Sequence, residues 1–457
     1  MKRLTKGKMW LFAVGQLGWS LLAALITNWL VYIYQPDAAS IAAGQTVFIP
    51  QGLAVLGVAT IIGGIAALGR IFDAVTDPLI ANLSDRSKNP RGRRIPFMRA
   101  IALPFAAITV LVFWAPVNGV SGFNSAWLLV TLLLFYLFMT TYCTPFNALI
   151  PELGKTQDDR INISTYISVT FFVGSAIAYA APFLWGALTP ALGRVMAVRI
   201  TFLCMSAVAL VCMLVPTFTI RETDYVTAKP AEGDAFSSLI KTFKNKQFRI
   251  FVGSDILYWI ALTIFQTGLP FFITALMHLP ETMTTLLFMA MTLLSLVCYA
   301  PVNVLAKKIG KKKLVLIGFA GLSIVYGITA LSGLFGIGGI VYGVLIVALA
   351  AFPMAILGIL PQAIVADVAQ SEAITTGENR EGMFYAARTF AFKLGQSVAM
   401  LLFTALASVG EGGAGYRIAA AVAAVLCIAG AVVLGRYNER AIFDIIGTGD
   451  PLATEPK

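Results

Sequence analysis

Charge is what this chain has least of. Of its 457 residues only 12% are Asp, Glu, Lys or Arg, whereas 58% are hydrophobic and the mean hydropathy is +0.84. A soluble protein carries about 25% charged residues, so a water-facing globule is excluded and a polytopic all-α membrane protein is expected. Histidine is scarcer still. The single one, His278, falls in a predicted loop, which leaves no material for a Ser–His–Asp triad or a histidine metal site. The five cysteines, Cys143, Cys204, Cys212, Cys298 and Cys427, lie in apolar runs without metal-ligand spacing and read as small packing residues. Motifs of nucleotide hydrolysis, zinc proteolysis and kinase chemistry are missing. Gly336, Gly338 and Gly339 sit in a turn between apolar runs rather than in a phosphate loop. An enzyme is therefore not expected, nor a catalytic residue, a cofactor or a resident metal. Any energy used must come from an ion gradient or from a solute's own gradient. A cleavable signal peptide is not expected either, because the first apolar run is too long and lacks a small-residue cleavage site.

What is present is a series of twelve apolar runs long enough to cross a bilayer, for which about 20 residues suffice. They cover approximately 9–34, 50–83, 97–117, 125–150, 163–189, 199–220, 250–276, 283–306, 314–334, 339–366, 384–409 and 416–435. Two six-helix halves follow, residues 1–220 and 250–457 with a short tail, joined by the polar loop 221–249. In that loop Phe236, Leu239, Ile240 and Phe243 recur at helical spacing among lysines, which predicts an amphipathic helix on the inner membrane surface.

The net charge of +11 is no nucleic-acid footprint, because the basic residues sit in alternate short loops. Lys2, Arg3, Lys6 and Lys8 precede the first run; Arg86 to Arg94 follow the second; Lys307 to Lys313 follow the eighth; Arg436 and Arg440 follow the last. The intervening loops 35–46 and 118–124 contain neither Lys nor Arg, and 190–198 only Arg194. By the positive-inside rule both termini face the cytoplasm. The second–third loop, N-L-S-D-R-S-K-N-P-R-G-R-R-I-P, and the eighth–ninth loop, V-L-A-K-K-I-G-K-K-K-L, each place a glycine just before the last basic cluster. Two similar halves are a common plan of secondary transporters.

The few ionisable residues inside the runs are the functional candidates, since each costs on the order of 2.5–3.5 kcal/mol at the centre of a span. Asp73 and Asp77 are four residues apart and share a helix face. At 1.5 Å per residue, Asp73 lies roughly 16 Å from the cytoplasmic end and Lys393 roughly 15 Å. Two acids and one lysine thus reach similar depth, one group in each half. A surplus negative charge remains, which suits a small cation, and Pro78 interrupts the helix ladder beside Asp77. Asp255 and Arg388 are shallower and either line an inner vestibule or pair with each other. Arg70 and Arg99 read as end-of-helix or snorkelling residues.

The stretch G-R-I-F-D-A-V-T-D-P followed by S-D-R and G-R-R-I-P, from Gly69 to Pro96, resembles the second-helix signature of the glycoside–pentoside–hexuronide:cation symporters, the melibiose-permease-like branch of the major facilitator superfamily. T-P-F-N-A-L-I-P-E-L at 144–153 and A-D-V-A-Q-S-E-A-I-T-T-G-E-N-R-E-G-M-F-Y-A-A at 366–387 resemble further signatures of that family, so the resemblance covers essentially the whole chain. It implies twelve helices in two pseudo-symmetric halves working by alternating access, with a cation site at Asp73, Asp77, Thr140 and Lys393. The coupling cation is Na+ or H+; no other cofactor is implied. The family's sugar-binding acids correspond to Gln16 and Cys143, and its sugar-facing tryptophan to Asn147. With Trp19, Thr389, Arg388 and Asp255 these residues form the candidate solute site. Asp85, Arg86, Arg93 and Arg94 are the candidate cytoplasmic gate, with Asp85 bonding to a neighbouring helix end. The expected activity is cation-coupled symport of a glycoside or related sugar. Animal lysophospholipid symporters share the second-helix acids and the eleventh-helix lysine, so an amphiphile is the alternative solute, and a non-transporting sensor or scaffold is a third reading. The expected setting is a monomer in a bacterial inner membrane, in contact with lipid and solute and not with nucleic acid.

Overall fold

The computed structural model of the chain describes residues 3–55, 57–87, 89–154, 157–225, 241–377, 381–410 and 412–447. The predicted amphipathic helix around 236–243 falls largely outside the described residues. Two compact units divide the chain, Met1–Gly233 and Asp234–Lys457. The first contains α1 (Lys6–Tyr34), the short α2 (Ala38–Ala42), α3 (Ile61–Asp85), α4 (Ile95–Val112), α5 (Gly122–Leu153), α6 (Gln157–Tyr179), α7 (Ala181–Leu192) and α8 (Arg194–Thr219). The second contains α9 (Lys246–Phe271), continued by a π-helical turn Phe272–Leu276, then α10 (Thr282–Ile309), α11 (Lys311–Leu331), α12 (Gly339–Thr376), α13 (Glu381–Ala407), α14 (Ala414–Gly435) and α15 (Glu439–Ile446).

Eleven stretches among the described residues are long and apolar enough to cross a membrane. One of them runs through α6 and α7, which are separated only at Ala180, where Pro182 cannot donate to the helix ladder. The remaining expected crossing is α3. Its 25 residues suffice in length, but Arg70, Asp73 and Asp77 near its middle keep it out of the apolar eleven. This helix also starts later than its apolar run suggests, at Ile61 and not at residue 50. Pro50 and two glycines in the left-handed region, Gly52 (φ +82°) and Gly57 (φ +71°), turn the intervening chain into a loop. Thr60 then caps the helix, its Oγ1 accepting the Gly63 N–H at 3.0 Å.

Each unit packs by the same plan. Its first helix lies against its fifth and sixth: α1 against α6 and α8, α9 against α13 and α14. The second and third helices lie against the fourth, α3 and α4 on α5, α10 and α11 on α12, and the third also meets the sixth. Small residues set the close approaches. A Cβ on Gly18 would stand 2.5 Å from the Ala209 carbonyl of α8, and one on Gly174 would stand 2.6 Å from the Leu17 carbonyl of α1.

The two basic loops close their units in the same way. In the first unit the buried Glu222, just past α8, accepts the N–H groups of Arg93, Arg94 and Ile95 at 2.8, 2.9 and 3.0 Å. These are orphan donors at the start of α4, whose N-cap residue Arg94 offers no side-chain cap. Arg93 and Arg94 reach on to Glu152 at the end of α5, at 3.1 and 2.8 Å. In the second unit Glu439, just past α14, accepts the N–H groups of Lys311 and Lys312 at 2.8 and 3.2 Å, and Lys311 pairs with Asp367 of α12 at 2.5 Å. Burial pushes the Glu439 carboxyl above its usual range, and the two N–H groups and Lys311 pull it back. The glycine before each cluster is required: Gly92 and Gly310 sit at φ +119° and +88°, and a Cβ on Gly92 would stand 2.3 Å from Glu222 Oε2. Glu222→Ala is expected to cost about 1–3 kcal/mol, the desolvation penalty of donors left unpaired, read as a lower unfolding temperature of the purified protein. Glu222→Gln, which keeps an acceptor and loses the charge, should fall between. An unchanged melting point in both would remove Glu222 as a clamp.

Candidate functional site

Asp73 and Asp77 lie one turn apart on α3, and Thr140 of α5 faces both. The Thr140 hydroxyl lies 2.9 Å from Asp73 Oδ1 and 3.1 Å from Asp77 Oδ1, so its single proton is shared between two carboxylates. Asp73 is 0% exposed and Thr140 1%, while Asp77 is half-buried. The acid pair thus runs from the packed interface of α3 and α5 toward an accessible side. What brings the helices together is again a small residue: a Cβ on Gly69 would stand 2.6 Å from the Tyr136 ring.

Arg70 completes the cluster, and its expected snorkelling role is corrected by its position. It is buried, with Nη1 3.9 Å from Asp73 Oδ2 and Nη2 donating to Thr27 Oγ1 of α1 at 3.2 Å. Its guanidinium lies over the Tyr136 ring, 5.1 Å from the centroid. An always-charged arginine held inside the helices offsets one of the two carboxylates. The cluster Arg70, Asp73, Asp77 therefore carries one net negative charge when both acids are ionised. Such a site of hard oxygens with one surplus charge suits one monovalent cation. Arg99, by contrast, is an end-of-helix staple, donating to the Thr217 carbonyl of α8 and lying over Phe218 at 4.5 Å.

Cys143 and Asn147 follow Thr140 at three and seven residues on α5, and so share its face. Asn147 is exposed and Cys143 half-buried. On α1, Gln16 is buried and Trp19 half-buried, yet the Trp19 indole N–H is enclosed without a hydrogen-bond acceptor among the described residues. The two helices meet where Phe12 stacks on Phe146 at 4.4 Å and Gly15 abuts Tyr142, so these candidates flank one contact.

The second unit holds Lys393, Arg388, Thr389 and Asp255. Arg388 and Asp255 pair with each other. Nε and Nη2 of Arg388 donate to the two carboxylate oxygens at 2.8 and 3.0 Å, and both residues are buried. This two-pronged geometry ties α9 to α13. One turn further, Phe392 stacks on Trp259 at 4.5 Å and Gly395 comes close to Ile256. Thr389 and Lys393 are half-buried. Among the gate candidates, Arg93 and Arg94 are tied within the first unit as described, Arg86 is exposed at the end of α3, and the Asp85 side chain lies outside the described residues. The partners that sequence reasoning missed are Glu152, Asp367, Glu222 and Glu439. Their only signal is an acid placed within a few residues of the end of an apolar run. Among the described residues no group of three or more His, Cys, Asp or Glu is arranged to hold a metal.

Comparison with known proteins follows the same lines. A family model described as MFS/sugar transport protein matches residues 11–422. An uncharacterized symporter of Synechocystis, sll1374, is 23% identical over 426 residues, spanning 75% of this chain and 78% of that protein. A sodium-dependent lysophosphatidylcholine symporter 1 of Xenopus tropicalis is 33% identical over 114 residues, only 24% of this chain and 21% of that protein. Among solved structures, a D-xylose-proton symporter superposes with a TM-score of 0.68 at 14% identity, covering 94% of this chain and 97% of that one. At that identity the likeness speaks for the fold, two six-helix halves of the major facilitator type.

Proposed function

The chain belongs to the MFS/sugar transport protein family and is a membrane transporter, not an enzyme; from that premise we propose that it couples a cation, Na+ or H+, to the uptake of a glycoside or related sugar by alternating access. The observation that carries the coupling is the Thr140 hydroxyl shared between Asp73 and Asp77. With Arg70 compensating one charge, a single monovalent cation neutralises the cluster. Na+ would use carboxylate and hydroxyl oxygens as ligands; H+ would need one carboxylate only. Lys393 of the second unit is the further charged residue proposed to take part in coupling. A ligand moves a two-state equilibrium only by its differential affinity for the two states. Coupling therefore requires that protein loaded with cation alone, or solute alone, switches poorly.

Both termini are assigned to the cytoplasm on the loop charges, and the chain to a bacterial inner membrane because bacterial symporters are among its relatives. The solute is assigned to the sugars because the sugar-transport model spans most of the chain, whereas the lysolipid relative matches a quarter of it. In the first unit Gln16, Trp19, Cys143 and Asn147 are its proposed polar contacts, with the Trp19 N–H, which has no acceptor among the described residues, as a donor to a hydroxyl; Thr389 is the candidate contact of the second unit. The test is the melting temperature of purified protein in Na+, Li+ or K+ at several pH values, each with glycosides, pentoses, hexuronates and lysolipids. The expected result is a shift with one cation, or with falling pH, that grows when one sugar is added. A shift with solute that ignores every cation and pH would remove coupling. One confined to lysolipids would replace the sugar.

A further inference from the structure

A cavity of about 460 Å³ opens where α10 ends, α11 begins and α14 gives way to α15. Its walls carry four basic side chains, Lys312, Lys313, Arg436 and Arg440, against one acid, Glu439. That acid is engaged by the N–H groups of Lys311 and Lys312. Lys312 is engaged as well, its Nζ donating to the Gly435 carbonyl at 2.8 Å. Lys313 and Arg436 are exposed. Three membrane-crossing helices end here, so the cavity lies at the depth of lipid headgroups. Further into the membrane the same helices turn apolar side chains outward: Val304 of α10, Ile317 of α11 and Val432 of α14 are 54%, 49% and 62% exposed, three to five residues from the cavity's own residues. A basic pocket above an apolar wall matches an amphiphile with an anionic head.

We infer that this cavity binds the phosphodiester headgroup of an anionic phospholipid, with Lys313 and Arg436 on the phosphate and the acyl chains along Val304, Ile317 and Val432. Basic pockets between membrane helices recognise such headgroups through charge at the interface. The apolar wall assigns the lipid, and not free phosphate, as the occupant. The binding would also tie α11 to α14 at the point where Glu439 already joins them.

The test uses the full chain, purified and delipidated in detergent, titrated by native mass spectrometry with short-chain phosphatidylglycerol, with phosphatidylcholine of the same chains, and with inorganic phosphate. Phosphatidylglycerol should bind, and Lys313→Gln with Arg436→Gln should weaken it about 25-fold, about fivefold per charge. Phosphatidylcholine should be indifferent to the substitutions. The charge-keeping pair Lys313→Arg and Arg436→Lys should restore the affinity, which separates loss of charge from loss of fold. Equal phosphatidylglycerol affinity in the glutamine variant and the parent would overturn the site. Inorganic phosphate binding as tightly as the lipid would overturn the lipid as its occupant.

Discussion

Asp73→Asn abolishes ion-driven accumulation of solute: this is the largest single-residue effect expected in the first unit. The side chain is fully enclosed, accepts from Thr140 at 2.9 Å and lies 3.9 Å from Arg70. Asparagine preserves its shape and can still accept from the threonine, so packing of α3 on α5 is retained. What it removes is the charge. The cluster then goes from one surplus negative charge to none, because Arg70 remains and only Asp77 opposes it. Losing one partner of a buried charge constellation costs about 2–5 kcal/mol, roughly thirty- to several-thousandfold in affinity. Cation binding should fall by that factor, measured by isothermal titration or by the cation-dependent melting shift. Uptake against a gradient should vanish with it, while binding of solute alone survives. Asp77→Asn, at a half-buried position, should lose less. Undiminished accumulation in the Asp73 variant would dismiss the proposed cation site.

In the second unit the corresponding large effect is on folding. Asp255→Leu leaves the Arg388 guanidinium buried at 6% exposure without its carboxylate. Breaking a buried pair from one side costs about 3–5 kcal/mol, because the remaining charge is uncompensated, whereas replacing both members by apolar residues is often neutral or stabilising. The single variant should therefore express poorly and melt early, and Asp255→Leu with Arg388→Met should recover the melting temperature. Uptake by the recovered double variant then separates two roles. Normal transport would make the pair a tie between α9 and α13; stable protein without transport would place it in the transport path. A single variant that melts like the parent would show that the pair's burial is not maintained in solution.

The sequence made the helices legible because an apolar run of bilayer length has few alternative readings. It misled at the start of α3, where residues 50–60 are apolar yet form a loop. Hydropathy alone does not register Pro50, Gly52 and Gly57 as a turn. Thr140 of α5 lies against both Asp73 and Asp77 of α3; that these residues with Lys393 hold a cation is what the resemblance implies and what is proposed for them. The place of Arg70 in the cluster is not legible in the sequence, because its partners Thr27 and Tyr136 belong to other helices. The acids that close the basic loops were invisible for a different reason. Their partners include main-chain N–H groups, which every position but proline offers alike. Only the repeat betrays them afterwards: Arg93 to Glu222 spans 129 positions and Lys311 to Glu439 spans 128.

That spacing bears on how the protein is made. The start of α4 is synthesised long before the glutamate that caps it. At about 5–20 residues per second, the intervening 129 positions take roughly 6 to 26 seconds to leave the ribosome. During that interval Arg93, Arg94 and Ile95 present bare main-chain donors at the membrane surface, and α8 must insert before they are covered. Because the closing acid of each unit lies in the same unit, the first can finish this step before the second has emerged. In each half the acid that closes the basic loop is thus available only after the sixth helix has been synthesised.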